Sequence, residues 1–350
     1  MKAAVHGPVV VINISQYRSD ALIIMPQSSE LHHVALPLFT SEKARYLQTQ
    51  LHDYLVDAGI NVRKPDKELQ SRFPEILSSL WTCVVLPIMQ RMSPKIEQKN
   101  PHTLPHIFWC LTGPLTFLPL HAAGLYETAE PGPKLMDIAI SSYIPTLTVL
   151  LDRIHREALI SPKLLGICQT CTPGQVPLLA AEHEMLAIAQ LIGQYDPQGV
   201  TVLKDSAATV EHTLQSLAEC NWVHLACHGV QDMTEPTSSA ILLWNGRLTL
   251  AEIIKLSLQD AELAFLSACE TATGDKSCML LAGYKGVIAT MWSIQDEDGP
   301  VVASKVYDQL LDGKIPNAMR AAEALHNAVL ELQQKGASFE RWVPFIHMGV

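Results

Sequence analysis

The feature that most constrains the fold is a regular alternation of short apolar runs with longer amphipathic runs from Leu164 onward. Leu164 to Cys168 predicts a strand, and Ala180 to Tyr195 predicts a helix. Later strands are predicted at Val200 to Lys204, Trp222 to Cys227, Leu263 to Ala268, Gly286 to Trp292 and Trp342 to Met348, and later helices at Thr209 to Ala218, Val301 to Leu311 and Ala318 to Gln334. Such alternation predicts βαβ units, and therefore an α/β fold with a mainly parallel sheet covered on both faces.

The N-terminal part has a less regular pattern. It predicts a hairpin of Val9 to Ile14 with Ala21 to Met25, and strands at Ile107 to Leu111 and Ile138 to Tyr143. Helices are predicted at Ser41 to Asp57 and at Thr146 to Glu157. A further helix is predicted to begin at about Pro74 and to end or kink near Pro87. Because the pattern becomes regular at Lys163, we predict two consecutive α/β portions, residues 1–162 and 163–350. By composition, the Pro- and Gly-containing stretch around Gln169 to Pro177 is the only candidate for an internal boundary.

Charge and cysteine content narrow the class of protein. The 350 residues include 25 Lys and Arg against 35 Asp and Glu, a net charge of −10, which disfavours a nucleic-acid binder. With no run of about 18 uncharged apolar residues and no signal-peptide pattern at Met1 to Pro8, we expect no membrane partner. Eight cysteines without a secretory signal are expected as reduced thiols in the cytoplasm or the nucleus.

Two predicted strands end in side chains suited to covalent catalysis. One runs from Trp222 into His228-Gly229, and the other runs from Leu263 into Cys269-Glu270. Since open α/β sheets place active sites at the carboxyl ends of strands, neighbouring strands would bring His228 and Cys269 side by side. An imidazole beside a thiol makes the thiolate accessible and can protonate a leaving amine. The N–H groups of Gly229 and Cys269 would then face the developing oxyanion.

The connection between these two strands has its own pattern. Ile241 to Trp244 and Arg247 to Leu250 predict a hairpin with a two-residue turn at Asn245-Gly246. A short amphipathic helix, Ala251 to Leu258, then leads to the cysteine strand.

The two strand-end motifs, His228-Gly229 and Leu266 to Ala272, resemble the CHAT domain. This caspase-like module is named for its association with TPR repeats and belongs with caspases and separase among the caspase-fold cysteine peptidases. Further family-like runs are Gly113-Pro114-Leu115, Phe117 to Gly124, Ser141-Ser142-Tyr143, Ala289 to Asp298 and Trp342 to Gly349. The likeness covers nearly the whole chain, and the chain is similar to the fungal versions of the CHAT domain.

The resemblance implies a caspase-type α/β/α sandwich with His228 and Cys269 as its catalytic dyad. It also implies a protein or peptide substrate, a TPR or other regulatory protein as partner, and no cofactor. In separase-like relatives, an acidic residue after the Trp-ended strand receives a basic P1 side chain. Asp296 aligns best with that position and Asp298 is the fallback. The same acidic run is equally typical of a solvated turn that caps a helix.

Some features support other interpretations. Only Asp275 to Cys278 separates Gly274 from Met279, where the family has a longer loop and the start of a helix. An alternative is therefore a catalytically impaired CHAT module that acts as a protein-interaction or signalling domain. Cys168 and Cys171 have metal-ligand spacing, but the second half of a zinc ribbon is missing. His224 and Cys227 lie on opposite faces of their strand, so we expect no metal.

Overall fold

The structure is a computed structural model that describes residues 2–57, 72–92, 104–126, 132–154, 162–230, 232, 235–267, 276–312 and 316–350. The chain divides into two compact units, residues 1–154 and 155–350. The Pro- and Gly-containing stretch around Gln169 to Pro177 lies inside the second unit and forms a loop there. It is therefore not a boundary between units.

The strands of the first unit lie in the spatial order β3-β2-β1-β4-β5. They are β1 (Val9–Ile14), β2 (Ser19–Ile24), β3 (Leu31–Ala35), β4 (His106–Leu111) and β5 (Ile140–Tyr143). The antiparallel pairing of β1 with β2 confirms the predicted hairpin, and β4 pairs in parallel with both β1 and β5. The sequence pattern did not predict β3, because two of its five residues are histidines and most are exposed or half-buried. It forms by antiparallel pairing with β2.

Helices of the first unit are α1 (Ser41–Asp57), α2 (Arg72–Leu80), α3 (Leu86–Met92) and α4 (Leu147–Ile154). A π-helical turn, Trp81–Val85, joins α2 to α3 in one helical run. Pro87 lies just past this turn, which is where the sequence predicted a kink or an end. Proline lacks an N–H donor and crowds the preceding turn, and the wider π turn accommodates both effects. The predicted end of α4, at residues 155–157, lies outside the described residues.

The run Arg72–Met92 is long and apolar enough, by length and composition, to cross a membrane. Its most apolar window has a mean hydropathy of 1.3, and 56% of that window is buried inside the protein. Core helices pass the same test, so the run is weak evidence for a membrane span. Among the described residues it is the one helix that meets the criterion.

The second unit is built on a mostly parallel sheet. Its strands, in chain order, are β6 (Leu164–Cys168), β7 (Val200–Lys204), β8 (Trp222–Ala226), β9 (Gly229–Val230), β10 (Ala240–Leu243), β11 (Gly246–Thr249), β12 (Leu263–Leu266), β13 (Gly286–Thr290) and β14 (Phe345–Gly349). The main sheet has the order β7-β6-β8-β12-β13-β14, and each neighbouring pair is parallel except β13 with β14. This confirms the predicted α/β class.

A separate small sheet has the order β11-β10-β9. Leu243 pairs with Gly246, so the two-residue turn is Trp244-Asn245, one residue earlier than predicted. Trp244, which the sequence pattern placed at the end of the first strand, lies in the turn and is exposed.

Helices of the second unit are α5 (Ala180–Tyr195), α6 (Val210–Glu219), α7 (Leu250–Lys255), α8 (Lys276–Ala282), α9 (Asp298–Leu311), α10 (Ala321–Gln334) and α11 (Phe339–Trp342). α5, α9 and α10 pack together as one layer, while α8 contacts β13 and β14. Thr249 caps α7 in a reciprocal capping box with Glu252. The predicted strand from Trp342 begins only at Phe345, because Phe339–Trp342 forms a helical turn.

Candidate active site

The two strands predicted to carry the catalytic residues are neighbours. β8 and β12 pair in parallel, with Leu263 opposite Trp222 and Leu266 opposite Leu225. His228 lies two residues beyond the end of β8, at the carboxyl edge of the sheet. Cys269 follows β12, but it lies outside the described residues. Of the shortened stretch Asp275 to Cys278, Asp275 also lies outside them, and Lys276 to Cys278 form the start of α8.

The His228 imidazole is half-buried and held by a backbone carbonyl. Its Nε2 lies 2.7 Å from the carbonyl oxygen of Val176. A carbonyl oxygen can only accept, so Nε2 carries the proton. In the neutral ring, Nδ1 then has a free lone pair and can act as a base.

Val176 belongs to the loop between β6 and α5, which is shaped by a tight turn. Gln175 donates its N–H to the carbonyl of Thr172 at 3.1 Å, and Gly174 has φ +80°. Proline at the second turn position and glycine with positive φ at the third define a type II turn. The sequence Pro173-Gly174 therefore builds this loop.

Gly229 opens β9 and pairs with Ile241 of β10. The adjacent pair is hydrogen-bonded, since Leu242 donates its N–H to the carbonyl of His228 at 2.8 Å. In an antiparallel ladder, the next pair is not hydrogen-bonded, so the N–H of Gly229 points away from β10. This orientation leaves it available to an oxyanion beside His228.

Asp296 and Asp298 occupy different environments. Asp296 is exposed and lines a narrow cleft with Ala226 and Ser267, at the carboxyl ends of β8 and β12. Asp298 is buried, and Arg341 binds both of its oxygens, with Nη2 to Oδ1 at 2.6 Å and Nε to Oδ2 at 2.9 Å. This carboxylate raises the pKa of the Arg341 guanidinium through the hydrogen bonds and its charge. Of the two, Asp296 is the carboxylate placed at the cleft.

The cleft beside Asp296 is small. Its volume is about 20 Å³, which is room for one water molecule. This space is smaller than the side chain of arginine or lysine.

A buried polar network joins the two strands beneath the cleft. Glu184 of α5 places Oε1 2.9 Å from Nε2 of His224, and its Oε2 accepts the hydroxyl proton of Ser267 at 3.0 Å. Nδ1 of His224 lies 3.3 Å from the hydroxyl of Tyr307, and the His224 ring stacks on Phe265 with 4.7 Å between ring centroids. Burial, with a smaller contribution from the Glu184 charge, raises the pKa of Tyr307 well above its usual value.

Apolar periodicity predicted the helix Ala180 to Tyr195 but did not reveal this network. The structure buries Glu184 within the apolar stripe of α5, which comprises Ala181, Met185, Ile188 and Ile192. A carboxylate at the period of an apolar stripe was the signal that would have identified it. Buried charged groups need partners, and His224 and Ser267 supply them.

Cys168 and Cys171 lie in different environments. Cys168 is buried among apolar side chains, and burial raises its pKa to about 12. Cys171 is exposed on the following loop. In the described ranges, no group of three or more His, Cys, Asp or Glu side chains is arranged to hold a metal ion.

This fold is that of caspase-like cysteine proteases. It is similar to the fold of Saccharomyces cerevisiae separase, which was solved in complex with securin. The sequence identity is 10% and the TM-score is 0.67, and the match covers 99% of this chain and 30% of the separase chain. It is also similar to gingipain RgpB of Porphyromonas gingivalis, solved with its pro-domain, at 14% identity and a TM-score of 0.52, covering 88% of this chain and 76% of that one. At these identities, the likeness concerns the fold.

The family follows from a sequence comparison. The model of the CHAT domain matches residues 74–350, and the chain belongs to that family. No curated protein matches the sequence.

Proposed function

We propose that this protein is a caspase-like cysteine endopeptidase whose dyad is His228 and Cys269. The observation that carries the proposal is the position of His228, at the carboxyl edge beside the cysteine strand with Nε2 bound to the Val176 carbonyl. Each residue of β12 follows its β8 partner by 41 positions, and Cys269 follows His228 by the same number.

The proposed reaction begins when Nδ1 of His228 takes the thiol proton of Cys269. The thiolate attacks the carbonyl carbon of the scissile peptide, and the N–H groups of Gly229 and Cys269 stabilise the oxyanion. The imidazolium then donates its proton to the leaving amine, and a thioester remains. Water, deprotonated by the same imidazole, hydrolyses the thioester and restores the thiol.

The P1 preference is proposed from Asp296. Asp296 lines the cleft at the carboxyl ends of β8 and β12, and its carboxylate has no hydrogen-bond or ion-pair partner among the described residues. A carboxylate there favours arginine or lysine through charge-assisted hydrogen bonds. Asp298 is the weaker candidate, because Arg341 already binds both of its oxygens.

The test is labelling with acyloxymethyl-ketone probes that carry Arg, Lys, Asp or Leu at P1. We expect the basic probes to label the wild type, and Cys269→Ala and His228→Ala to abolish labelling. Cys171→Ala is the matched control, because Cys171 is an exposed thiol outside the dyad. Labelling that survives Cys269→Ala would contradict the proposed nucleophile.

The alternative is a CHAT module that binds a protein without cleaving it. The short connection from Asp275 to Cys278 favours it. No labelling of the wild type by any probe, with or without a regulatory protein, would support this alternative. A protein partner is proposed in either case, since the separase structure contains securin. A TPR partner and a cytoplasmic or nuclear location stay predictions.

A further inference from the structure

One carboxylate binds the stem of the loop that carries Val176. The stem is the three residues Gln169 to Cys171, which directly follow β6. Asp205 directly follows β7, and its Oδ1 accepts the N–H of Thr170 at 2.8 Å and the N–H of Cys171 at 3.2 Å. The Thr170 hydroxyl lies 2.9 Å from both oxygens of the same carboxylate. Asp205 therefore binds three donors on two consecutive residues of another segment.

The backbone of Asp205 is strained in a way that serves these contacts. Its φ is +45°, in the left-handed region that side chains with a Cβ disfavour. The Asp205 carbonyl also accepts the side-chain amide of Gln169 at 3.0 Å. Both the carbonyl and the carboxylate of one strained residue thus face the stem of the loop, which explains why the conformation is retained.

The stem is connected to His228 by two short links. Leu178 donates its N–H to the carbonyl of Thr170 at 3.0 Å, which closes the loop on its anchored residue. Two residues earlier, the carbonyl of Val176 meets Nε2 of His228 at 2.7 Å. Val176 is 75% exposed, so side-chain packing at this residue does little to fix its carbonyl. The backbone contacts of the loop must do so.

We propose that Asp205 is a positioning residue for His228. By holding Thr170 and Cys171 it sets the position of the Val176 carbonyl, and that carbonyl sets the tautomer and orientation of the imidazole. The effect on turnover rests on the peptidase function proposed above. The effect on the His228 ring does not, and it can be measured in a protein with no activity.

Two substitutions separate the side chain of Asp205 from its backbone. Asp205→Gly removes every acceptor on the side chain, while glycine adopts φ +45° without strain. Asp205→Asn keeps one acceptor oxygen and tolerates the left-handed conformation. Asp196→Asn is the matched control, because Asp196 accepts the N–H of Gln198 at 3.0 Å just beyond the C-terminal end of α5.

The first readout is the Nε2–H resonance of His228 in protein labelled with ¹⁵N-histidine, assigned by its loss in His228→Gln. We expect a slowly exchanging signal in the wild type and in Asp196→Asn. It should be lost in Asp205→Gly and exchange faster in Asp205→Asn. The second readout is kcat, which should fall about 10- to 100-fold in Asp205→Gly while KM stays close to the wild-type value.

An unchanged Nε2–H signal in a folded Asp205→Gly variant would overturn the proposal. If that variant does not fold, Asp205→Asn decides, and exchange equal to that of Asp196→Asn overturns the proposal. If the wild type cleaves nothing while Asp205→Gly still loses the signal, the peptidase function fails and the positioning role stands.

Discussion

Nε2 of His224 lies 2.9 Å from Oε1 of Glu184, and both side chains are buried in the second unit. The other Glu184 oxygen accepts the hydroxyl of Ser267, two residues before the proposed nucleophile. A single helix side chain thus binds the strand that leads to His228 and the strand that leads to Cys269. This shared contact links the two strands near their carboxyl ends.

Glu184→Gln should destabilise the protein by about 1–3 kcal/mol, because an amide has one acceptor oxygen where the buried carboxylate uses two, for His224 and Ser267. The measurement is the free energy of unfolding in urea. The control is Glu182→Gln. Glu182 lies on the same helix and forms an exposed ion pair with Lys204, so the loss of this pair should produce no measurable change in the free energy of unfolding. Equal effects of the two substitutions would contradict the assigned importance of the buried pair.

Gly299→Ala should destabilise the protein by about 1–3 kcal/mol through overpacking. A Cβ at this position would lie 2.9 Å from Oγ of Ser267 and 3.0 Å from Oε2 of Glu184. Thermal unfolding measures the effect.

The matched substitution is Gly193→Ala in α5, where an added Cβ meets nothing within 4 Å. There alanine should stabilise the helix by up to about 1 kcal/mol. The two glycines should therefore respond with opposite signs, and a gain in stability at Gly299 would argue against close packing there.

Asp296→Asn should weaken labelling by Arg and Lys probes at least about tenfold, which is the loss expected for a charge-assisted hydrogen bond. Labelling by a Leu probe should be unchanged, and so should the unfolding midpoint, because Asp296 is exposed.

Asp298→Asn should change stability and leave the probe preference unchanged. It should lower the free energy of unfolding by about 2 kcal/mol, since it breaks the bidentate contact with Arg341. The preference between Arg and Leu probes should stay at the wild-type ratio. A loss of that preference in Asp298→Asn alone would move the P1 assignment to Asp298.

Iodoacetamide at pH 8 should modify Cys171 and spare Cys168 in the folded protein. Burial raises the pKa of Cys168 to about 12, so its thiol stays protonated at that pH. Because the shift is upward, its reactivity should increase only toward strongly alkaline pH. Mass spectrometry of peptides from native and urea-treated samples measures both sites, and rapid native modification of Cys168 would contradict the assignment.

The local pattern of apolar residues predicts most of the helices and strands of the fold. The bounds predicted for Ser41–Asp57, Leu164–Cys168, Ala180–Tyr195 and Val200–Lys204 agree with the structure, because apolar periodicity reflects which face each element buries. Four tryptophans that lie in or beside apolar runs of the sequence, Trp81, Trp109, Trp222 and Trp342, are buried. β3 was missed because pairing with β2, and not an apolar face, makes it a strand.

The sequence by itself determined the α/β class, the CHAT resemblance, and which two strand ends carry the histidine and the cysteine. Only the tertiary structure separated Asp296 from Asp298, because the difference is made by Arg341, 43 residues away in the chain. The same holds for Glu184 with His224 and for Asp205 with Thr170. Periodicity reports burial within one element, whereas partners for buried charges and for loop backbones come from distant segments that meet only when the sheet is assembled.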